Sequence, residues 1–217
     1  MKYLILDFNG TIVNDLNLSL ESINYCLRKY INKDPLSVSE YRDIFCFPVI
    51  EYYKKAGFDF DKVSWEEVAN CWMEHYQKHH HECKIHDGVV ELINEAHNKG
   101  YRCVVLSASE IKILEMQLKE FGIYELFDDV IGISDIYAVS KLESATNYFK
   151  GQVLSDSILV GDTDHDKEVA DALGCKCILV AKGHQSFARL KECNDIVYNS
   201  IKEINLWELD NHKIFIN

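Results

Sequence analysis

The chain begins with a short apolar strand that ends in an acid. Residues 3–6 are all apolar, a run typical of a strand buried on both faces of a parallel sheet, and Asp7 follows at once. Gly10 then lets the backbone turn sharply. The carboxyl ends of parallel strands form the ligand crevice of open α/β sheets. The opening stretch therefore predicts such a sheet with Asp7 in its crevice, although the same residues also fit an ordinary turn.

Strands and helices alternate in the second part of the chain. Short apolar runs predict further strands, at 103–106, 130–133, 158–160, 177–180 and 196–197. Amphipathic stretches with capping boxes or closing glycines separate them. Because such alternation is typical of parallel sheets, the predicted fold class is α/β, with a Rossmann-like, doubly wound parallel sheet.

The stretch between the first strand and residue 82 has a purely helical pattern. Apolar residues recur there at helical spacing, and two capping boxes, Ser37 with Glu40 and Ser64 with Glu67, predict helix starts. We interpret this stretch as a small all-α insert. The predicted domains are an α/β core, residues 1–15 and 82–217, and a helical cap, residues 16–81.

Composition excludes several classes of partner. The net charge is -12 over 217 residues, so no basic face is expected for nucleic acid. The sequence has no apolar run long enough to cross a bilayer and no secretory leader, so we expect no membrane partner. The eight cysteines lack the spacing of common zinc or redox motifs, and we interpret them as reduced thiols of a cytoplasmic protein. The chain is expected to be a monomer or a homodimer.

Polar residues follow the predicted strands, and sheet topology should gather them. Asp7 and Asn9 follow the first strand, Ser107 follows another, and Asp162 and Asp166 follow a third. Carboxylates brought together repel one another unless a cation lies among them. Oxygen ligands without paired His or Cys indicate a hard cation, and Mg²⁺ with a phosphorylated ligand fits best. Two further features would hold phosphate: the ammonium of Lys141, and the hydroxyl of Ser107 with the adjacent N–H of Ala108.

Four motifs in this order resemble those of the haloacid dehalogenase superfamily of phosphatases. LDFNGTIV resembles the first motif, VVLSAS the second, Lys141 the third and LVGDTDHD the fourth, and the helical insert is similar to the cap of the phosphoglycolate phosphatase and β-phosphoglucomutase branch. The resemblance implies a Mg²⁺-dependent phosphatase for a small phosphorylated metabolite. It implies roles for the following residues: Asp7 as nucleophile; Asp7, Asn9, Asp162 and Asp166 for the metal; Thr11, Ser107, Ala108 and Lys141 for the phosphoryl group.

One position departs from that pattern. The family usually has a second aspartate two residues after the nucleophile, which protonates the leaving group and then activates water, whereas this chain has Asn9. An amide can do neither at neutral pH, and losing a general acid–base costs about 10²–10⁴ in rate. Three explanations stay open: another residue handles the proton, the substrate has a good leaving group, or the protein binds a phosphorylated ligand and turns it over poorly. The sequence also leaves open a non-phosphate hydrolase such as a dehalogenase, and an engineered Asp-to-Asn trap. If Asn9 only handicaps the enzyme, Asn9→Asp should raise its activity.

Three further features are weighed as candidate site residues. His184 follows a strand on the active edge and could serve in acid–base chemistry, although a structural histidine is the simpler interpretation. Arg42 lies in the predicted cap, where a substrate could be recognised. The run at 79–81 consists of three histidines, but successive helical residues face different directions, so we expect a solvated cap end there.

Overall fold

The described part of the chain, residues 1–133 and 140–207 of a computed structural model, contains eight strands. In chain order they are β1 (Lys2–Asp7), β2 (Val13–Asn14), β3 (Lys84–Ile85), β4 (Tyr101–Glu110), β5 (Asp129–Ile133), β6 (Ile158–Gly161), β7 (Lys176–Val180) and β8 (Val197–Tyr198). Six of them form one parallel sheet in the order β5-β4-β1-β6-β7-β8, while β2 and β3 pair as an antiparallel ribbon. The predicted α/β fold class is confirmed, and β1 lies in the middle of the sheet.

Helices cover both faces of this sheet, which makes it doubly wound. The α-helices are α1 (Leu16–Ile31), α2 (Val38–Ile44), α3 (Val49–Ala56), α4 (Trp65–His79), α5 (Val89–Asn98), α6 (Ile111–Glu120), α7 (Lys141–Tyr148), α8 (Asp164–Leu173) and α9 (Phe187–Cys193). Side chains of β1 alternate between the two faces: Leu4 and Leu6 pack with α5 and α6, while Tyr3 and Ile5 pack with α7, α8 and α9. Both layers beside β1 are therefore apolar, and its carboxyl end, at Asp7, is polar.

Helices α1 to α4 have an apolar core of their own. Aromatic residues dominate it, with Tyr41, Tyr52, Tyr53 and Phe58 all buried. Ser37 makes a reciprocal capping box with Glu40 at the start of α2, so this predicted helix start is confirmed. The chain enters and leaves these helices through the β2–β3 ribbon. The division of the chain at residues 16 and 82 remains a prediction.

Some predicted boundaries are wrong. Strand β4 continues past residue 106 to Glu110, because the backbone stays extended and pairs Glu110 with Ile133 after a shift in register. The box pattern of Ser200 with Glu203 predicts a helix after the last strand, but the structure has only a three-residue 3₁₀ turn there, Ile201–Glu203. The stretch 134–139, which leads towards Lys141, lies outside the described residues.

Candidate active site

Sheet topology gathers the predicted acids at one edge. Asp7 is the last residue of β1, and Asp162 comes directly after the neighbouring strand β6. Asp166 lies in the first turn of α8, and Lys141 begins α7. The carboxylate oxygens of Asp7, Asp162 and Asp166 lie within 4.8 Å of one another, and all three residues are buried. The structure thus brings together residues that are more than 150 positions apart in the chain.

Lys141 is embedded in this group of acids. Its Nζ donates hydrogen bonds to Asp7 Oδ1 and, at 2.6 Å, to Asp166 Oδ1. We call Asp7, Asp162, Asp166 and Lys141 the acidic cluster. Three carboxylates and one ammonium leave it with a surplus of negative charge in a buried place. A hard divalent cation would balance that surplus, and the donor set of carboxylate oxygens fits one.

Burial and the neighbouring charges shift the pKa values of the three acids unequally. Burial raises the pKa of Asp7 well above its ordinary value, against the attraction of Lys141, and repulsion from Asp166 and Asp162 adds to the rise. Burial likewise raises the pKa of Asp162 to about 6. Burial opposes ionisation of Asp166 too, but there Lys141 and Thr163 win and lower its pKa. Burial lowers the pKa of Lys141, yet Asp166 and Asp7 outweigh it and the net shift is upward.

Asp162 is oriented by two segments of the chain, one at Thr11 and one at residues 183–184. Thr11 Oγ1 donates to Asp162 Oδ1 at 3.0 Å, and the backbone N–H of His184 donates to Asp162 Oδ2 at 2.6 Å. A Cβ at Gly183 would overlap the Asp162 carboxylate, so only glycine fits beside it. The family resemblance implies that the Thr11 hydroxyl contacts phosphate. In the structure this hydroxyl instead donates its hydrogen bond to the Asp162 carboxylate. Gly183 was missed from the sequence, since nothing local marks its close approach to Asp162.

Asp166 joins the acidic cluster to the start of α8. Its Oδ2 accepts hydrogen bonds from the backbone N–H of Asp162 and Thr163 and from Thr163 Oγ1, at 3.1, 3.0 and 2.7 Å. Thr163 is the N-cap, with Asp166 completing a capping box. Asp164, which fits the N-cap by residue type, is instead the first helical residue, and its carboxylate accepts from Arg189 and Gln185.

A second group of polar side chains surrounds Asn9. The amide Nδ2 of Asn9 donates to Asp15 Oδ2 and to the Tyr76 hydroxyl, both at 2.8 Å. The Tyr76 hydroxyl donates to the same Asp15 oxygen at 2.7 Å, and His184 Nε2 lies 3.4 Å from Asp15 Oδ1. We call Asn9, Asp15, Tyr76 and His184 the amide cluster. Asp15 and Tyr76 were not singled out from the sequence, because Tyr76 follows the apolar pattern of α4 and Asp15 occupies an N-cap position.

Charges in the amide cluster compensate each other. Burial would raise the pKa of Asp15, but the nearby His184 and the hydrogen bonds from Tyr76 and Asn9 hold it below its usual value. Burial would lower the pKa of His184, but Asp15, with Asp162 and Asp7, raises it to about 9. At neutral pH the two side chains form an ion pair. His184 has its other ring nitrogen 2.9 Å from the Tyr41 hydroxyl, so both nitrogens already have partners.

The remaining candidates lie near the crevice but differ in what they contact. Ser107 is buried one residue beyond the partner of Asp7 in β4, and its Oγ accepts the N–H of Ser109 at 3.0 Å. Ala108 lies between them, with its side chain exposed. Arg42 donates from Nε and Nη2 to the backbone carbonyls of Gly183 and Lys182, at 3.0 and 3.1 Å. In this arrangement Arg42 ties the helical cap to the core.

The histidine run at 79–81 does not form a metal site with the described residues. His79 Nδ1 pairs with Glu82, and His80 Nε2 pairs with Glu120 at 2.7 Å. His81 is exposed, and the acids that come together as a candidate metal group in the described ranges are those of the acidic cluster. The expectation of a solvated cap end holds for His81, whereas the His80 side chain is only 12% exposed and contacts Glu120 of α6.

The fold and the site define an α/β protein whose doubly wound parallel sheet gathers three acids and a lysine at the carboxyl ends of its central strands. Residues 4–180 match the haloacid dehalogenase-like hydrolase family, and the chain belongs to that family. The predicted superfamily and the predicted hydrolase class are thereby confirmed. None of the described helices combines the length and the apolar character that crossing a membrane requires.

Curated relatives and solved structures agree with that assignment. The chain is 26% identical over 174 residues to the pyrophosphatase PpaX of Halalkalibacterium halodurans, covering 75% of each chain, and 24% identical over 183 residues to that of Bacillus mycoides, covering 82% of each. A predicted phosphatase from Clostridium acetobutylicum superposes with a TM-score of 0.80 at 20% identity, covering 96% of this chain and 98% of the other. A predicted phosphoglycolate phosphatase from Haemophilus somnus gives 0.75 at 18%, covering 97% and 98%. These structures share the fold.

Proposed function

We propose that this protein is a Mg²⁺-dependent phosphatase that acts on a small phosphorylated metabolite through an aspartyl-phosphate on Asp7. One observation carries the proposal. The Asp7 carboxylate lies at the edge of the sheet beside Lys141, in a buried cluster whose negative charge exceeds its positive charge. Such a site attracts a divalent cation together with a phosphoryl group, whose oxygens the cation and an ammonium can share.

The residues that would hold the metal are those that the family resemblance implies, and three of them lie together in the acidic cluster. Asp7 and Asp162 would offer carboxylate oxygens and Asn9 its backbone carbonyl, while Asp166 would act through water. Bound there, the cation would neutralise charge on the phosphoryl oxygens. Thr11 and the backbone N–H of His184 keep Asp162 in place for that role.

Asp7 would supply the nucleophile. One of its oxygens bonds to phosphorus as the bond from phosphorus to the leaving oxygen breaks, and water then releases orthophosphate and restores the carboxylate. Lys141, the Ser107 hydroxyl and the N–H of Ala108 would hold the phosphoryl oxygens. Asn9 cannot protonate the leaving oxygen. His184 remains the candidate for that proton, but its ring nitrogens lie against Asp15 and Tyr41, an arrangement that favours a bracing role.

The amide at position 9 favours substrates whose leaving group needs little protonation. The relatives named pyrophosphatases suggest inorganic pyrophosphate as one such compound, because its leaving group is itself a phosphate. We therefore place phosphoanhydrides and acyl phosphates ahead of alkyl monoesters such as phosphoglycolate. The same missing acid favours the second candidate function, a phospho-ligand binder with little turnover.

The test compares the purified protein with its Asp7→Asn variant, using para-nitrophenyl phosphate, pyrophosphate, acetyl phosphate and phosphoglycolate, with MgCl₂ or with EDTA. We expect turnover that requires Mg²⁺ and falls at least about 10³-fold in Asp7→Asn. Asp61→Asn, which changes an exposed acid of the helical cap, is the matched control and should leave the rate unchanged.

Two other outcomes are informative. Mg²⁺-dependent binding of orthophosphate without turnover of any compound would favour the binder. If the protein shows no phosphate binding and no turnover, the proposed function is overturned.

A further inference from the structure

We propose that Asp15 is a positioning residue for residues 8–12, the segment after the proposed nucleophile, which we call the catalytic loop. We also propose that the Asp15 carboxylate requires an amide at position 9. The two side chains then form one hydrogen-bonded unit, in which Asn9 is the residue that fits and aspartate is not. This inference rests on the proposed function only for its kinetic consequences, because its structural part can be measured without turnover.

Asp15 is a buried carboxylate whose oxygens are both occupied by donors. It is 1% exposed. Oδ2 accepts from Asn9 and Tyr76 and, at 3.4 Å, from Ser19 Oγ, while Oδ1 accepts the backbone N–H of Gly10 at 2.8 Å and faces His184. A carboxylate surrounded in this way accepts only. An acceptor placed against Oδ2 would therefore be repelled.

The orientation of the Asn9 amide follows from that requirement. Nδ2 points at Asp15 and Tyr76, and Oδ1 accepts a hydrogen bond from Ser109 Oγ at 3.3 Å. An aspartate in the same rotamer would put a carboxylate oxygen 2.8 Å from Asp15 Oδ2, where the amide nitrogen now lies. Two like charges at that separation in a buried site oppose each other strongly. Asn9→Asp alone should therefore harm the protein, contrary to the expectation drawn from the sequence.

Tyr76 gives the pair a link to the helical cap. It lies in α4, and its hydroxyl both accepts from Asn9 and donates to Asp15. Gly10, whose N–H donates to Asp15, follows Asn9 in the loop after β1. The Asp15 carboxylate thus fixes the side chain and the backbone of the segment that follows the proposed nucleophile, and ties both to the cap.

A charge-conserving exchange tests the pairing. In the double variant Asn9→Asp/Asp15→Asn, the amide of residue 15 can donate to the carboxylate of residue 9, and the Tyr76 hydroxyl can reverse its role. The four proteins to compare are wild type, Asn9→Asp, Asp15→Asn and the double variant. Urea unfolding in EDTA reports the pairing itself, and kcat for para-nitrophenyl phosphate with Mg²⁺ reports positioning.

We expect both single variants to unfold at lower urea than wild type. The double variant should recover part of the loss, because it restores the contact between residues 9 and 15 but leaves His184 without a carboxylate at position 15. In kcat, Asn9→Asp should fall about tenfold or more below the double variant, a factor within the range of coupling between contacting residues. If residues 9 and 15 have only a structural role, the double variant should regain stability while its kcat stays equal to that of Asn9→Asp.

The inference is overturned if Asn9→Asp is as stable as wild type or more active than it, or if the double variant is no better than the worse single variant, including failure of both to fold. If wild type has no activity, the proposed function fails and the urea series still decides the pairing. Tyr76→Phe should lower kcat in wild type, whereas Tyr25→Phe, at an exposed tyrosine of α1, is the matched control.

Discussion

The crevice contains two polar clusters that solve the burial of charge in opposite ways. The acidic cluster has three carboxylates against one ammonium and is left short of positive charge. The amide cluster pairs the carboxylate of Asp15 with the imidazolium of His184 and surrounds it with neutral donors. The first arrangement has the charge that a cation would balance, whereas the second balances its charges among the described residues. The cluster proposed to bind the metal therefore keeps an excess of negative charge, and the cluster proposed to position the loop after Asp7 does not.

Lys141→Met should break the acidic cluster most severely. Removing one partner of a buried ion pair costs about 3–5 kcal/mol, because the other charges are left uncompensated. Urea unfolding in EDTA measures that loss, and Mg²⁺ should restore more stability to this variant than to wild type. Lys150→Met, at an exposed lysine just after α7, is the control. A loss below about 1 kcal/mol would mean that the cluster is not short of positive charge.

His184→Gln should change how stability depends on pH. The pKa of His184 is raised from 6.5 to about 9 in the folded protein, so its contribution is complete below about pH 6.5 and is lost as the pH rises through 9. Wild type should exceed the variant by about 2–3 kcal/mol at pH 6, and the difference should shrink by pH 10. Urea unfolding in EDTA at several pH values checks this. A difference that is constant with pH would show that the ion pair with Asp15 does not form.

Thr11→Val should weaken the acidic cluster moderately. The variant keeps the shape of the side chain but loses the hydrogen bond to Asp162 Oδ1, a loss of about 1.5–3 kcal/mol for a charged acceptor. A thermal melt titrated with Mg²⁺ should require more Mg²⁺ for the same shift in melting temperature. Thr146→Val, at an exposed threonine of α7, should leave that titration unchanged.

Ser109→Ala should have the smallest effect. Ser109 Oγ donates to Asn9 Oδ1 at 3.3 Å, a long contact at the edge of the amide cluster. Its loss should cost about 0.5 kcal/mol, or roughly a twofold change in kcat for para-nitrophenyl phosphate. A loss as large as that of Asn9→Asp would move the orienting role from Asp15 to Ser109.

The acidic cluster could be predicted from the sequence because each member has a local signature. Asp7 and Asp162 each end an apolar run, and parallel topology brings the ends of neighbouring strands together. Lys141 follows the N-cap Ser140, which forms a box pattern with Glu143. Short-range patterns assign these residues to the ends of strands and the starts of helices, and the parallel sheet then brings those ends together.

The amide cluster could not be predicted in the same way, since its contacts cross between the cap and the core. Tyr76 and Asp15 are 61 residues apart, and Tyr76 fits the apolar stripe of α4 as well as any core residue. No periodicity reports which cap side chain reaches the catalytic loop. The N-cap of α8 is a different case. Asp164 is the expected N-cap by residue type, and this prediction is wrong, although Thr163 and Asp166 form a box pattern that the sequence already shows.

Asp166 has a consequence for how this site can be probed. One of its oxygens binds Lys141, and the other holds the first turn of α8 through three hydrogen bonds. Replacing it would loosen a helix and release a lysine in the same step, so a lost signal at this position could not be attributed to chemistry. In mutational surveys of related chains, a loss of function at position 166 therefore reports on folding and on the site together. Substitutions of Asp7 and Asp162 are the better basis for conclusions about mechanism.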